Sequence, residues 1–148
     1  MGTTFVSINK KGFWLRDRLL ELWLCFAALH IEDSPEENSE AHKIRDQWLV
    51  ASRGAFTGCV PDGLDEAVST ESGKEIVVSA ISSLLKELKQ APDELDKDVL
   101  NLMGSFSKFA GNVETFRLVE ISQAVLDLIE GKVGTDDASD TSFMPGCR

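Results

Sequence analysis

A chain of 148 residues with 43% hydrophobic and 27% charged side chains has the size and composition of one globular domain with one core. This excludes collagen-like, disulfide-dense and wholly disordered classes. Asp and Glu number 25 against 15 Lys and Arg, a formal charge of -10, so nucleic acid and anionic lipid surfaces are repelled while a basic protein is steered towards the chain.

The only basic excess is Lys10, Lys11, Arg16 and Arg18 around Asp17, too little to displace many phosphate counterions. No charged start followed by an apolar run and a small-residue cleavage site opens the chain, so no signal peptide is expected. The longest apolar run, residues 22–29, falls far short of the ~20 residues of a membrane span. Cys25, Cys59 and Cys147 are odd in number and contain no CxxC, which fits reduced thiols in a cytoplasmic protein.

Residues 1–11 read as an N-terminal arm, extended over 3–8. The apolar density of residues 13–31 predicts a central helix whose polar residues, Arg16, Asp17, Arg18 and Glu21, mark an exposed beginning. Ser34, Pro35, Glu36 and Glu37 form a capping-box pattern, and the helix they open carries Ala41, Ile44, Trp48 and Ala51 on one stripe as far as Gly54. Residues 53–63 have no helical period. They read as a loop with apolar content in Phe56 and Val60, closed by the Pro61-Asp62-Gly63 turn.

A short helical piece spans 64–68. Ser72 to Glu75 offers a second capping box for the clearest amphipathic helix, with Ile76, Val77, Ala80, Ile81, Leu84, Leu85 and Leu88 on one face and Pro92 beyond its end. Residues 96–103 form a short helix stopped at Gly104, and 105–111 connect it, with Phe106 and Phe109, to a last helix capped by Asn112. There Arg117, Glu120, Gln123, Asp127 and Glu130 make a polar stripe opposite Leu118, Ile121, Val125, Leu128 and Ile129, until Gly131. Residues 132–148 are Gly, Ser, Thr and Asp with little to bury and read as a disordered tail. The expected fold is therefore all-α: a single-domain bundle of five or six helices over residues 12–131.

No constellation satisfies the spacing that catalysis needs. His30, Glu32, Asp33 and His42 are metal-ligand types but contain neither H-E-x-x-H nor Glu-x-x-His, and the histidines fall on different helices. Cys59 lacks a neighbouring base in sequence, and Gly54 to Gly58 lacks the Gly-Lys-Ser/Thr ending of a phosphate loop. No cofactor or metal is expected.

Glu32, Asp33, Glu36, Glu37 and Glu40 place five carboxylates in nine residues. Helix-dipole stabilisation explains part of this cluster, and a docking surface explains the rest. Trp23 and Trp48 sit at core spacing, while Trp14 is the aromatic expected at the surface. The expected function is non-catalytic: an acidic helical protein that covers a basic protein partner, as an immunity- or antitoxin-like protein neutralises a toxin. Its candidate contacts are Glu32, Asp33, Glu36, Glu37, Glu40, Trp14, Phe56 and Val60. The alternative is a helical adaptor or regulatory subunit using an apolar groove or homodimer face, with a metal- or cysteine-dependent enzyme third.

Overall fold

The computed structural model describes residues 2–32, 36–103 and 108–147. Its first element corrects the all-α expectation. Thr3–Ile8 (β1) and Lys11–Arg16 (β2) pair antiparallel, with Val6 opposite Phe13 and Phe5 opposite Trp14. Asn9 and Lys10 both adopt positive φ, 52° and 68°, which is the two-residue turn whose twist matches a hairpin. Alternation then puts Thr4, Val6 and Ile8 inward with Phe13 and Leu15, while Phe5 and Trp14 stack on the outer face at 5.4 Å. Gly12 is obligatory here, since a Cβ would lie 1.9 Å from the Val6 carbonyl oxygen.

The central helix therefore starts at Asp17, four residues later than apolar density predicts, and runs Asp17–Leu29 (α1). Glu40–Ala51 (α2) begins at Ser39, whose hydroxyl accepts from the His42 amide at 3.2 Å, rather than at the Ser34 capping box. Ser34 and Pro35 lie outside the described residues. Asn38 at φ 69° separates Glu36 and Glu37 from the helix.

Leu64–Ala67 (α3) and Glu71–Gln90 (α4) follow. The α4 cap is Thr70, which accepts from the Gly73 amide at 3.0 Å, two residues before the expected Ser72. Glu94–Leu95 (β3) pairs with Val113–Glu114 (β4) across Lys97–Asn101 (α5), and Thr115–Ile129 (α6) closes the helical set. Asn112 does not cap α6; its Oδ1 accepts from the Lys97 amide at 3.0 Å, holding the start of α5. Six helices and two small antiparallel sheets among the described residues make this a mixed α/β fold.

α1 is the hub, packed against α2, α4, α6 and β2. Trp23 and Trp48 are both fully buried with ring centroids 6.1 Å apart. Each indole N–H is satisfied, Trp23 by Ser122 Oγ at 2.9 Å and Trp48 by the Asp62 carbonyl at 3.0 Å, so the core carries these rings without a desolvation penalty.

The second correction concerns residues 132–147, which lie along the hairpin. Gly12 and Thr135 exchange two backbone hydrogen bonds at 2.9 Å, and Trp14 Nε1 donates to the Ala138 carbonyl at 2.8 Å. Phe143 packs edge-on against Phe13 at 5.6 Å. Farther on, Arg117 donates to the Gly146 carbonyl at 2.6 Å and Pro145 is buried. A segment poor in apolar residues is ordered because the exposed edge of β2 supplies backbone partners that composition does not reveal.

Candidate functional site

Glu32, Glu36 and Glu37 are exposed where α1 hands over to α2, and Asp33 lies outside the described residues. Glu40, in the first turn of α2, differs from them in direction. Its carboxylate accepts from the hydroxyls of Thr70 and Ser72 at the start of α4, and these bonds hold its pKa below the ordinary carboxylate value. Gly73 permits this, since a Cβ there would meet the Ala67 carbonyl at 2.0 Å and Glu40 Oε1 at 2.7 Å.

The tie between Glu40 and α4 forms one end of a cleft of about 440 Å³ between α2 and α3. Ile44 and Trp48 line it from α2 with Gln47 and Lys43, and Glu66 and Ala67 line it from α3. Gln47 Nε2 donates to the Pro61 carbonyl at 2.5 Å, and Asp62 Oδ1 accepts from the Leu64 amide at 2.9 Å, so the 61–63 turn forms a fixed wall. Burial pushes the Asp62 carboxyl above its ordinary pKa, with the Leu64 amide opposing. Methyl and methylene groups of Ile44, Gln47 and Ala67 thus meet exposed oxygen acceptors on a surface wide enough for a long side chain, with Trp48 buried behind them.

Trp14, Phe56 and Val60 do not line this cleft. Trp14 sits on the hairpin with its N–H taken by Ala138. Val60 is 3% exposed, and its amide donates to Thr4 Oγ1 at 3.0 Å. Phe56 is half-buried on the same loop. Val60 belongs to a second, structural centre through its bond to Thr4. Asp17 Oδ1 accepts from Thr4 Oγ1 and Asp17 Oδ2 from the Gly58 amide, both at 2.7 Å, tying hairpin, helix and loop together.

The metal-type residues diverge. His30 Nδ1 is 2.9 Å from Ser83 Oγ and its Nε2 is 2.9 Å from Glu87, whereas His42 Nε2 is 3.0 Å from Asp46. Among the described residues no three His, Cys, Asp or Glu side chains converge as a metal site. Cys25, Cys59 and Cys147 are unbridged, and burial pushes the Cys25 thiol up, with a Ser52 hydrogen bond opposing.

Glu66, Gln47 and Lys43 escaped the sequence reading because nothing in their spacing links α3 to α2. Glu21 escaped for a different reason: it reads as part of an exposed helix start, yet it is 6% exposed with Leu19, Leu20, Leu22 and Trp23 around it in sequence. An acid inside so dense an apolar run was a legible signal of burial. Among the described residues no helix is long and apolar enough to cross a membrane. No family model, curated protein or solved structure matches the chain.

Proposed function

We propose that the protein is a non-catalytic binding protein that docks a basic protein partner, its cleft taking a Lys or Arg side chain and its exposed acids steering the encounter. The observation that carries this reading is the cleft: Ile44, Ala67 and the methylenes of Gln47 suit the aliphatic stem of a long basic side chain, and Glu66 stands exposed at the rim for its charged head. Glu40, its oxygens committed to Thr70 and Ser72, sets the field of that rim and positions α2 against α4. Glu32, Glu36 and Glu37 precede α2 on the same acidic approach and add to the attraction at a distance. A basic toxin held by an immunity- or antitoxin-like protein is a partner of this chemistry.

The test is association kinetics with a partner recovered from the native host, at low and high salt, for the wild type and for a Glu36→Gln, Glu37→Gln, Glu66→Gln triple variant. The wild-type rate should fall as salt rises, and the variant should associate more slowly with a flatter dependence. Identical kinetics in the two proteins would reject the acidic surface. Exposed Val99 and Leu102, 62% and 85% accessible, would then be the surface to examine for an adaptor or self-association role.

A further inference from the structure

Three of the chain's six arginines border one cavity of about 330 Å³: Arg16 at the end of β2, Arg18 in the first turn of α1 and Arg117 in the first turn of α6. Among the described residues no Asp or Glu lines it. In a chain of formal charge -10 this is a local inversion of sign, and it lies on elements other than the α2 and α3 walls of the acidic cleft.

Two of the three guanidinium groups are held in place. Arg18 Nη2 donates to the Lys108 carbonyl, and the guanidinium lies 4.4 Å from the centre of the Phe109 ring, which itself lines the cavity. Asn101 fixes the backbone of that ring, accepting from the Phe109 amide at 2.6 Å and donating to its carbonyl at 3.1 Å. Arg117 Nη1 donates to the Gly146 carbonyl at 2.6 Å, and its Nη2 pairs with Glu114 at 3.1 Å. A guanidinium carries five N–H donors, so both keep donors that these bonds do not use. Arg16 is exposed, and among the described residues its side chain has no hydrogen-bond or ion-pair partner.

The acids beside these arginines in sequence are engaged elsewhere. Asp17 accepts from Thr4 and Gly58, and Glu21, which attracts Arg18, borders a separate space of about 20 Å³. No side chain caps the start of α1, so its first-turn dipoles add to the same positive sign.

We propose that this cavity binds the phosphate group of a small soluble phosphate monoester. Planar guanidinium forks match phosphate oxygens, and three forks from three elements suit the three terminal oxygens of a monoester better than the two of a carboxylate. The volume lies at the lower end of small-molecule sites, so the organic part is small, and Phe109 gives it an apolar wall. A polyanion is disfavoured, because its further phosphates meet the negative remainder of the molecule. This site stands independently of a basic partner at the cleft.

The experiment titrates the full chain with phenyl phosphate, inorganic phosphate and benzoate at constant ionic strength, following heats of binding and the arginine Nε–H resonances. Phenyl phosphate should saturate, bind more tightly than the other two, and shift the resonances of Arg16, Arg18 and Arg117. Arg16→Gln removes no contact within the fold and should weaken phenyl phosphate about tenfold at an unchanged melting temperature, the worth of one charge-assisted hydrogen bond. Lys11→Gln removes the same charge from the other end of β2 and should change the affinity by less than about twofold. No saturation by about 10 mM, an equal loss in the two variants, or benzoate binding as tightly as phenyl phosphate would overturn the site. Equal affinity for inorganic phosphate, or displacement of phenyl phosphate by a single-stranded oligonucleotide at equal phosphate concentration, would overturn the assignment to a small monoester.

Discussion

The exposed acids Glu32, Glu36 and Glu37 and the acids of α1 obey opposite physics. Glu32, Glu36 and Glu37 stand in water, where a charge costs little and acts at a distance within the screening length. Asp17 and Glu21, 5% and 6% exposed, act only on their immediate neighbours and at a desolvation cost. The two buried acids differ again: Asp17 is compensated by two hydrogen bonds, and Glu21 by part of one guanidinium. A formal charge of -10 therefore describes the field the protein sets up in solution but not how it holds together.

Breaking the compensated acid should have the largest effect. Asp17→Ala leaves the Gly58 amide and the Thr4 hydroxyl without their acceptor and should destabilise the fold by about 4 kcal/mol in denaturant titration. Removing the uncompensated charge should do the reverse. The folded pKa of Glu21, about 7, lies above its ordinary 4.5, so the folded state binds the proton more tightly. The corresponding stability is complete below pH 4.5, is lost as pH rises to about 7, and stays lost above. Glu21→Gln should therefore match the wild type in acid and exceed it at pH 8 by about 1–2 kcal/mol, since residual contact with water screens part of the charge. A constant difference across pH would contradict the burial of that charge.

Deleting residues 132–148 sharpens the contrast, because Asp136, Asp137 and Asp140 resemble the solvated acids in composition but belong to a docked segment. The loss of the Thr135 bridge, the Ala138 acceptor and the Phe143 contact should lower stability by about 2 kcal/mol, read as several degrees of melting temperature. An unchanged melting point would show the segment to be held too weakly to matter. The smallest effect belongs to the exposed acids: Glu36→Gln with Glu37→Gln should change stability by less than about 0.5 kcal/mol while slowing association with a basic partner.

Local chemistry along the chain accounts for α4 and α6. Their apolar residues recur every three or four positions, Pro92 and Gly131 end them, and Val77, Ile81, Leu84, Leu118, Ile121 and Val125 are buried as that periodicity requires. The same residues that make 13–16 look helical are equally suited to a strand. Hairpin pairing with residues 3–8 decides between them, a choice that Asn9 and Gly12 hint at but neighbours along the chain cannot make. The docking of residues 132–147 on β2 depends on an open strand edge more than a hundred residues away. The cleft depends on how α2 and α3 meet, and the state of Glu21 on what α5 lays over it. Periodicity and caps are properties of residues a turn apart, whereas pairing, burial and pKa arise from groups that become neighbours only when the chain has folded.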